Sequence, residues 1–366
     1  MRTTSLSRHH APLDCATQPS ESPMTSFDHA SQAQSSPSAR RQALRAGLGV
    51  GAAVALAAAA GSARAQGADW PARPVRLIVG YPPGGSGDFI TRVAAEELSK
   101  ELGVSVVVEN RPGAGGTIAN EAVSKAAPDG YTVLNAGPMA LTSALYRKLG
   151  YDGRRDFIPV CQLAVGPMII CVNNDLPVRT LRELIAYAKA NPGKLNSAAS
   201  GNGSTPHLAS ALFESAAGVQ FTTIQFKGGG AAATSTIAGD TQVMFATPPT
   251  VIGFIKGGRM RALSLTVPQS TPSIPGIPGA AEAGLPGYDS SFSFGLYVPA
   301  GTPPNVVRAL HAATARAMAR PGVKERVASQ GMDVATNASP EAFATALRDG
   351  AGSLERAVRE SGAKVE

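Results

Sequence analysis

The sequence predicts an α/β protein with two lobes. Segments with strand character alternate with segments of helical periodicity from residue 76 onward. Alternation of this kind predicts parallel sheets that are covered by helices. Two apolar strands, Ile158–Val165 and Met168–Val172, interrupt the scheme before it repeats, and a late return strand follows at Ser291–Val298. Two units with a returning strand predict two lobes. The chain is expected to cross from one lobe to the other near Pro159–Val172 and Ser290–Val298.

The first unit contains predicted strands and helices in strict alternation. Its first helix places Phe89, Val93 and Leu98 on one face, as an amphipathic helix requires. Asp129-Gly130 marks a turn before the last strand of the unit. In chain order the predicted elements are strand Arg76–Val79, helix Asp88–Leu102, strand Ser105–Glu109, helix Thr117–Ala126 and strand Tyr131–Asn135.

Capping residues mark the helix starts of the second unit. Thr180 and Glu183 form a capping box, and Ser204 or Thr205 caps the next helix. The predicted elements are helix Thr180–Ala190, strand Leu195–Ala199, a helix that ends at Ala217, strand Phe221–Phe226, helix Ala231–Ala238, strand Gln242–Thr247, helix Val251–Lys256 and strand Met260–Thr266.

The last part of the chain returns to the first lobe. Pro268–Pro286 has the Pro and Gly content of a connector. Two helices are predicted to close the chain, Pro303–Met318 and one that begins at Ser339-Pro340-Glu341, because prolines stand in their first turns. The expected boundaries are 66–167 for the first part of lobe 1, 168–289 for lobe 2 and 290–366 for the return strand and C-terminal helices of lobe 1.

Residues 1–65 have the order of a bacterial export signal with an N-terminal extension. Basic residues at Arg40-Arg41 precede a short run of Ala, Gly, Val and Leu, and Ala63-Arg64-Ala65 supplies a small-residue cleavage site. The paired arginines match a twin-arginine signal in part. We expect a periplasmic chain that begins near Gln66; an uncleaved N-terminal anchor and a start codon at Met24 are alternatives.

Composition excludes several classes of partner. The formal net charge of +7 comes without clusters of Lys and Arg and with few aromatic residues, so nucleic-acid binding is not expected. His207 and His311 are the only histidines after residue 65, and no zinc pattern is present, so no metal or other cofactor is expected. Cys161 and Cys171 would be cross-strand neighbours if their segments form a hairpin, and a disulfide is then permitted; two buried free thiols are the preferred alternative.

Three glycine-rich stretches each follow a predicted strand and precede a predicted helix. They are Pro82–Asp88, Ser200–His207 and Lys227–Gly230. A junction of this kind directs free backbone N–H groups and the positive end of a helix dipole at the space above it. Because ligands in open α/β sheets bind beyond the carboxyl ends of the strands, the three loops predict an anion site. Ser86 and Ser204 would donate hydroxyl hydrogen bonds or cap helices, and Asp88 is expected to accept backbone N–H groups.

No catalytic residue is expected. Gly84–Asp88 lacks the last glycine of a nucleophile elbow, and no acidic residue follows the glycines after Lys227 where a dinucleotide site needs one. His207 with Ser204 is a conceivable general-base pair, but a histidine in a first helical turn more often supports its loop by hydrogen bonding.

A series of motifs occurs in a fixed order along the chain: Trp70–Arg76, Tyr81–Gly85 with Asp88, Glu109–Gly116, Pro128–Thr132, Leu145–Leu149, Gly201–Ser204 with His207-Leu208, Phe226–Gly228, Ala281–Tyr288 and Pro299–Pro303. With these motifs the chain resembles one family, the periplasmic solute receptors of tripartite tricarboxylate transporters, also called the Bug family and TctC-like.

The resemblance implies the two-lobed "Venus flytrap" of type II periplasmic-binding proteins. It implies a monomeric, non-enzymatic receptor that closes on a small carboxylate (a di- or tricarboxylate, an amino acid or an aromatic acid) and delivers it to the integral membrane subunits of the transporter. The loops and the resemblance together give the candidate ligand-binding residues Tyr81, Pro83, Gly84, Gly85, Ser86, Asp88, Ser200, Asn202, Gly203, Ser204, His207, Lys227, Gly228 and Thr247.

The sequence departs from the family pattern near the expected site. Phe226, Ala231, Ser235, Ala246 and the vicinity of Ser293 stand where the family commonly has Tyr, Pro, Asp, Asp and Trp. These differences leave the identity of the carboxylate open. A ligand-binding sensor that signals to a membrane two-component kinase is the alternative function, and a secreted enzyme is a third.

Overall fold

The computed structural model describes residues 70–138 and 149–360. The predicted export signal, residues 1–65, and the motif residues Leu145–Lys148 lie outside the described residues. Among the described helices, none is long and apolar enough to span a membrane.

The first lobe is built on a six-stranded sheet in the order β11-β4-β10-β3-β1-β2. Strand β1, next to the edge strand β2, pairs in parallel with β2 and β3, whereas β10 is antiparallel to both β3 and β4, and β11 is antiparallel to β4. The strands span β1 Val75–Val79, β2 Val106–Asn110, β3 Thr132–Ala136, β4 Phe157–Pro167, β10 Ser291–Pro299 and β11 Asp333–Val334.

The second lobe is built on a five-stranded sheet in the order β7-β6-β8-β5-β9. Strand β6 is parallel to β7 and β8, and β5 is antiparallel to its neighbours β8 and β9. The strands span β5 Ile169–Val172, β6 Asn196–Ala199, β7 Thr222–Gln225, β8 Val243–Ala246 and β9 Arg261–Leu265.

Helices cover both sheets, and most begin within two or three residues of the predicted positions. A 3₁₀ turn at Ala114–Gly116 precedes the second of them. The helices span α1 Ser86–Leu102, α2 Thr117–Ser124, α3 Leu181–Ala190, α4 Thr205–Ala217, α5 Gly229–Ala238, α6 Pro248–Lys256, α7 Pro304–Ala319, α8 Pro321–Ala328 and α9 Pro340–Glu360.

Two sequence predictions are wrong. The sheets are mixed rather than parallel, because strands that cross between the lobes enter their new sheet from the opposite end. Up to residue 360, where the described residues end, three helices rather than two follow β10, since α8 stands between the two predicted ones, and the short strand β11 follows it. Pro321 is the first residue of α8 and carried the signal for it, because proline fits the first turn of a helix.

The chain passes between the sheets twice within the described residues. Strand β4 ends at Pro167 and β5 begins at Ile169 in the other sheet, and the chain returns between Leu265 and Ser291. The segments that carry Cys161 and Cys171 therefore do not form a hairpin. Both thiols are buried and free, because they belong to different sheets.

A dense aromatic cluster holds the second lobe together. The ring of Phe213 on α4 lies 6.0 Å from that of Phe221, 5.3 Å from that of Phe245 and 5.6 Å from that of Tyr288. The Tyr288 hydroxyl donates to the Ala209 carbonyl at 2.9 Å, so this buried polar group has a partner. The cluster fixes α4 on the sheet and thereby sets where the start of α4 points.

Candidate functional site: a cleft lined by helix starts

A cavity of about 260 Å³ lies where the loops after β1, β6, β7 and β8 meet. These are carboxyl ends of strands in both sheets, the position at which open α/β folds bind ligands. The cavity is lined by Tyr81, Pro82, Pro83, Gly85, Ser86, Gly87, Ser200, Ser204, Thr205, Pro206, Lys227, Gly228, Gly229, Gly230, Ala231, Met244, Phe245, Ala246, Thr247, Thr250, Phe292 and Phe294.

The start of α1 supplies donors from the first lobe. Gly85 is the N-cap and has no side chain to cap the helix, and the first helical hydrogen bond runs from the Phe89 N–H to the Gly85 carbonyl. The N–H groups of the first turn before Phe89 therefore have no partner within the helix. Ser86 is 3% exposed, lines the cavity, and has a hydroxyl oxygen without a hydrogen-bond partner. A buried hydroxyl in that state is available to a ligand.

The start of α4 faces the same space from the second lobe. The Ser204 hydroxyl caps this helix by accepting from the His207 N–H at 3.4 Å, and it lies 3.2 Å from the Ser200 hydroxyl, which donates to it. Ser200, Ser204 and Thr205 all line the cavity. Ser204 therefore caps α4, which is one of its two predicted roles, and it also lines the cavity.

Two more helices begin at the cavity, with different polar groups. Gly228 is the N-cap of α5 and has no capping side chain, so Gly229, Gly230 and Ala231 present backbone N–H groups. Helix α6 begins with two prolines, which carry no N–H. There the hydroxyls of Thr247 and Thr250 line the cavity instead, 3.1 Å apart.

The loops of the two lobes touch beside the cavity. Gly228 has a φ of +105°, and a Cβ on this residue would lie 2.9 Å from the Pro82 side chain of the first lobe. Any larger residue would therefore be strained and would separate the loops. This close approach brings the starts of α1 and α5 to one ligand-sized space.

The electrostatic character of the cavity is positive. Each helix start contributes a partial positive charge, and Lys227, an exposed residue, adds a full one. Among the described residues that line the cavity, none is acidic. Unpaired N–H groups, hydroxyls and helix dipoles at one point form a site for an anion such as a carboxylate.

Asp88 supports the first loop from behind and does not line the cavity. Its carboxylate accepts from the Gly84 N–H at 3.1 Å, from Arg92 Nε at 3.0 Å and from Asn110 Nδ2 at 2.8 Å. Asn110 Nδ2 also donates to the Tyr81 carbonyl at 3.0 Å. Burial raises the pKa of Asp88, but the hydrogen bonds from Arg92, Asn110 and Gly84 lower it by more, so the pKa lies below its usual value. The ionised carboxylate therefore fixes the shape of the loop.

His207 supports the second loop in the same way. Its Nδ1 accepts from the Gly203 N–H at 3.2 Å, which requires that nitrogen to be unprotonated. Burial lowers the pKa of His207 and favours this neutral form. Gly84, Asp88, Asn202, Gly203 and His207 are thus the predicted site residues that do not line the cavity, whereas the nine others do.

The apolar part of the lining was not predicted. Phe292 and Phe294 project from one face of β10, and the ring of Phe294 lies 5.8 Å from that of Tyr81. Met244, Phe245 and Ala246 line the cavity from the end of β8. The alternation of Phe292 and Phe294 was visible in the predicted strand, but only the crossing of β10 between the lobes decides that they face the cleft.

Two lobes with a cleft between them define the class of periplasmic solute-binding proteins, and known structures match this chain on that basis. The R. palustris protein Rpa4515, solved with adipate, has a TM-score of 0.77 and 31% identity over 80% of this chain and 99% of its own. MatC from Rhodopseudomonas palustris, solved with bound malate, has a TM-score of 0.74 and 30% identity over 79% of this chain and 100% of its own.

The sequence comparisons specify the family. Residues 90–351 match the model of the tripartite tricarboxylate transporter family receptor. Protein BugT of Bordetella pertussis is 35% identical over 300 residues, which cover 81% of this chain and 92% of BugT. The chain therefore belongs to the tripartite tricarboxylate transporter receptor family, as its motifs predicted. This is a family of periplasmic solute-binding receptors and not of enzymes.

Proposed function

We propose that this protein is an extracytoplasmic receptor that binds one small carboxylate in the cleft and delivers it to the membrane subunits of a tripartite tricarboxylate-type transporter. The observation that carries the proposal is the Ser86 hydroxyl, which is buried, unpartnered and placed in a cavity where helices from both lobes begin. The structures solved with adipate and malate, both carboxylates, support the ligand class.

The proposed contacts follow from the lining. Backbone N–H groups at the starts of α1 and α5 would hold the carboxylate oxygens, with hydroxyl donors from Ser86, Ser204 and Thr247 and a longer-range attraction from Lys227. Asp88 and His207 would act by holding the loops in place. Recognition would then depend on backbone geometry more than on charged side chains.

We also propose that the cleft closes on its ligand. The first sheet contains β1–β4, β10 and β11 and the second contains β5–β9, which supports a division into 66–167 with 290–366 and 168–289. A carboxylate that contacts α1 and α5 at once stabilises the arrangement in which the two loops are together. The crossing segments beside Pro167 and Ser291 would absorb the rotation.

The ligand class is tested by comparing an acid with its methyl ester. A panel of carboxylates is screened by thermal stabilisation, and the affinity of a hit is measured by calorimetry against the ester. We expect the ester to bind at least about tenfold more weakly, because it loses charge-assisted hydrogen bonds. Ser86→Ala should weaken the binding of the acid and reduce the ratio of the acid's affinity to the ester's affinity. Tight binding of neutral compounds, with no stabilisation by any acid, would overturn the proposal.

Cleavage of the proposed export signal would give the exported protein a defined N-terminus. If residues 1–65 are an export signal, the periplasmic fraction of a producing bacterium should contain a chain that begins near Gln66. Intact-mass measurement of that fraction checks this directly. Replacing Arg40 and Arg41 by Lys should block export through a twin-arginine route and leave general secretion working. A full-length chain that stays with the membrane contradicts the cleavage.

A further inference from the structure

Two segments of the chain cross between the lobes, and both of them are hydrogen-bonded to Thr266. We propose that Thr266 is a hinge clip: it fastens the two crossing segments to each other, so that the lobes rotate as rigid bodies about one axis. The inference rests on the proposed function, because it names the residue that governs the proposed closure of the cleft.

One residue of each crossing segment lies between the two sheets. The pairing of β4 with β10 ends at Pro167 and Ser291, and β5 begins at Ile169 in the other sheet. Met168 and Ser290 therefore belong to none of the described strands. Backbone dihedral angles can change at such positions without breaking a sheet, as hinge closure requires.

Thr266 binds every backbone polar group of these two residues. Its N–H donates to the Met168 carbonyl at 2.9 Å, and its hydroxyl accepts from the Met168 N–H at 2.8 Å. Its carbonyl accepts from the Ser290 N–H at 2.8 Å, and its hydroxyl donates to the Ser290 carbonyl. The hydroxyl thus uses its proton on one crossing segment and a lone pair on the other. One side chain therefore couples the two segments.

Burial makes these hydrogen bonds costly to break. Thr266 and Met168 are 0% exposed, so backbone groups released from Thr266 would find no water to replace it. Met168 and Ser290 therefore keep their positions relative to Thr266 when the lobes move. The rotation is left to the backbone at Pro167 and Ser291, on the first-lobe side of the clip, where the proline ring fixes one angle.

The first-lobe side of the clip adjoins the cavity. A Cβ on Gly166 would lie 2.9 Å from the Phe292 ring and 3.2 Å from the Gly331 carbonyl, so this part of the first lobe is closely packed. Phe292 also lines the cavity. Independent twisting of the two segments would populate arrangements in which the starts of α1 and α5 do not face each other. The apparent affinity of the cleft falls with the fraction of molecules that are competent to bind.

The clip is tested by measuring the distance between the lobes without any ligand. Spin labels are attached to Lys194→Cys in lobe 2 and Lys324→Cys in lobe 1, both exposed positions, in the chain beginning at Gln66. Double electron–electron resonance gives the distribution of label-to-label distances. Thr266→Val keeps the shape of the side chain and removes the hydroxyl, so the distribution should become about twofold wider. Thr266→Ser keeps the hydroxyl and should keep the wild-type width.

Thr314→Val is the matched control for the loss of a buried hydroxyl. Thr314 is also 0% exposed, and its hydroxyl donates to the Leu310 carbonyl at 2.7 Å within α7. This variant should leave the distance distribution as in the wild type. Equal widths in Thr266→Val and the wild type would overturn the clip, and so would a widened distribution in Thr266→Ser.

Hydrogen exchange in the unmodified protein gives a second measurement that depends on no variant. The N–H groups of Met168 and Ser290 should exchange as slowly as those of β5, because the clip opens only when the surrounding core opens. Fast exchange at either residue would contradict the clip. Neither measurement uses a carboxylate. Failure of every acid in the panel would therefore overturn the proposed function, whereas these two measurements decide the clip independently.

Discussion

Replacing Gly85 with valine should abolish ligand binding, with a Kd at least about 100-fold weaker, and leave the fold intact. Gly85 has φ −90° and ψ 174°, an extended conformation that valine adopts without strain. A Cβ on Gly85 meets no atom within 4 Å, and Gly85 lines the cavity, so we expect the branched side chain to take up space within it. There it would occupy the space beside the α1 N–H groups. Calorimetry gives the affinity, and denaturant unfolding gives the stability.

Gly322→Val is the matched control for this variant. Gly322 also lies at a helix start, that of α8, and a Cβ there likewise meets nothing within 4 Å, but the residue is not part of the cavity lining. Both variants should unfold within about 1 kcal/mol of the wild type, since only helix-start preferences change. Normal binding by Gly85→Val would show that the first glycine loop is not the site. Gly203 gives no such clean test, because its φ of +73° strains any side chain.

Replacing Asp88 with alanine should lower the stability of the fold as well as the affinity for the ligand, unlike the Gly85 variant. The carboxylate is 5% exposed and joins Gly84, Arg92 and Asn110. Its removal leaves these donors without their charged acceptor and should lower the free energy of unfolding by about 2–3 kcal/mol. The Gly84–Ser86 backbone would lose its fixed shape, so the Kd should weaken by about tenfold or more.

Asp88→Asn and Asp129→Ala are the controls. Asn keeps the size and one acceptor oxygen, so its effects should be intermediate. Asp129 pairs with Arg73 at 2.9 Å on the surface, where both side chains are exposed, and it also accepts from the Tyr131 N–H at 3.0 Å. Its removal should cost about 1 kcal/mol, less than that of Asp88. Full binding and stability in Asp88→Ala would show that the loop holds its shape without the carboxylate.

Asp88 also sets an acid-side pH dependence. Its folded-state pKa lies below the ordinary value of 3.8, despite burial, because Arg92, Asn110 and Gly84 donate to the carboxylate. Its stabilising contribution is therefore fully present above 3.8 and is lost as the pH falls through the folded-state pKa. The difference in unfolding free energy between wild type and Asp88→Asn should shrink in that range and stay constant at higher pH.

Local sequence patterns predicted the helices and strands well, but they did not predict how strands from distant parts of the chain pair in the sheets. Alternating strands, helical periodicity and caps placed most helices and strands to within a few residues, because these signals are carried by neighbours in the chain. The capping bond from the Glu183 N–H to Thr180 is one such local signal. The antiparallel direction of β5 and β10 is not local, since it depends on which sheet a crossing strand joins.

The residues of the candidate site likewise divide into those with a local sequence signal and those placed by strand pairing. The glycine loops and Ser86 could be predicted, because a strand–glycine–helix junction has a local sequence signature. Asn110 could not be assigned to the site from sequence, because its contact with Asp88 depends on how β2 pairs with β1. The Arg92–Asp88 pair is different, since the two residues lie four positions apart on α1 and their spacing is a local signal. Asn202 was predicted as a ligand residue from its motif, but it is exposed and outside the cavity lining.

The two buried cysteines make the protein suited to site-specific labelling. Burial raises the pKa of the Cys161 thiol to about 12 and that of Cys171 further, and neither thiol is accessible to reagents at neutral pH. A cysteine introduced at the exposed Asn202, beside the cleft but outside its lining, would react with a maleimide dye far faster than either. A chain beginning at Gln66 can therefore carry one fluorophore at the mouth of the cleft with its native cysteines in place.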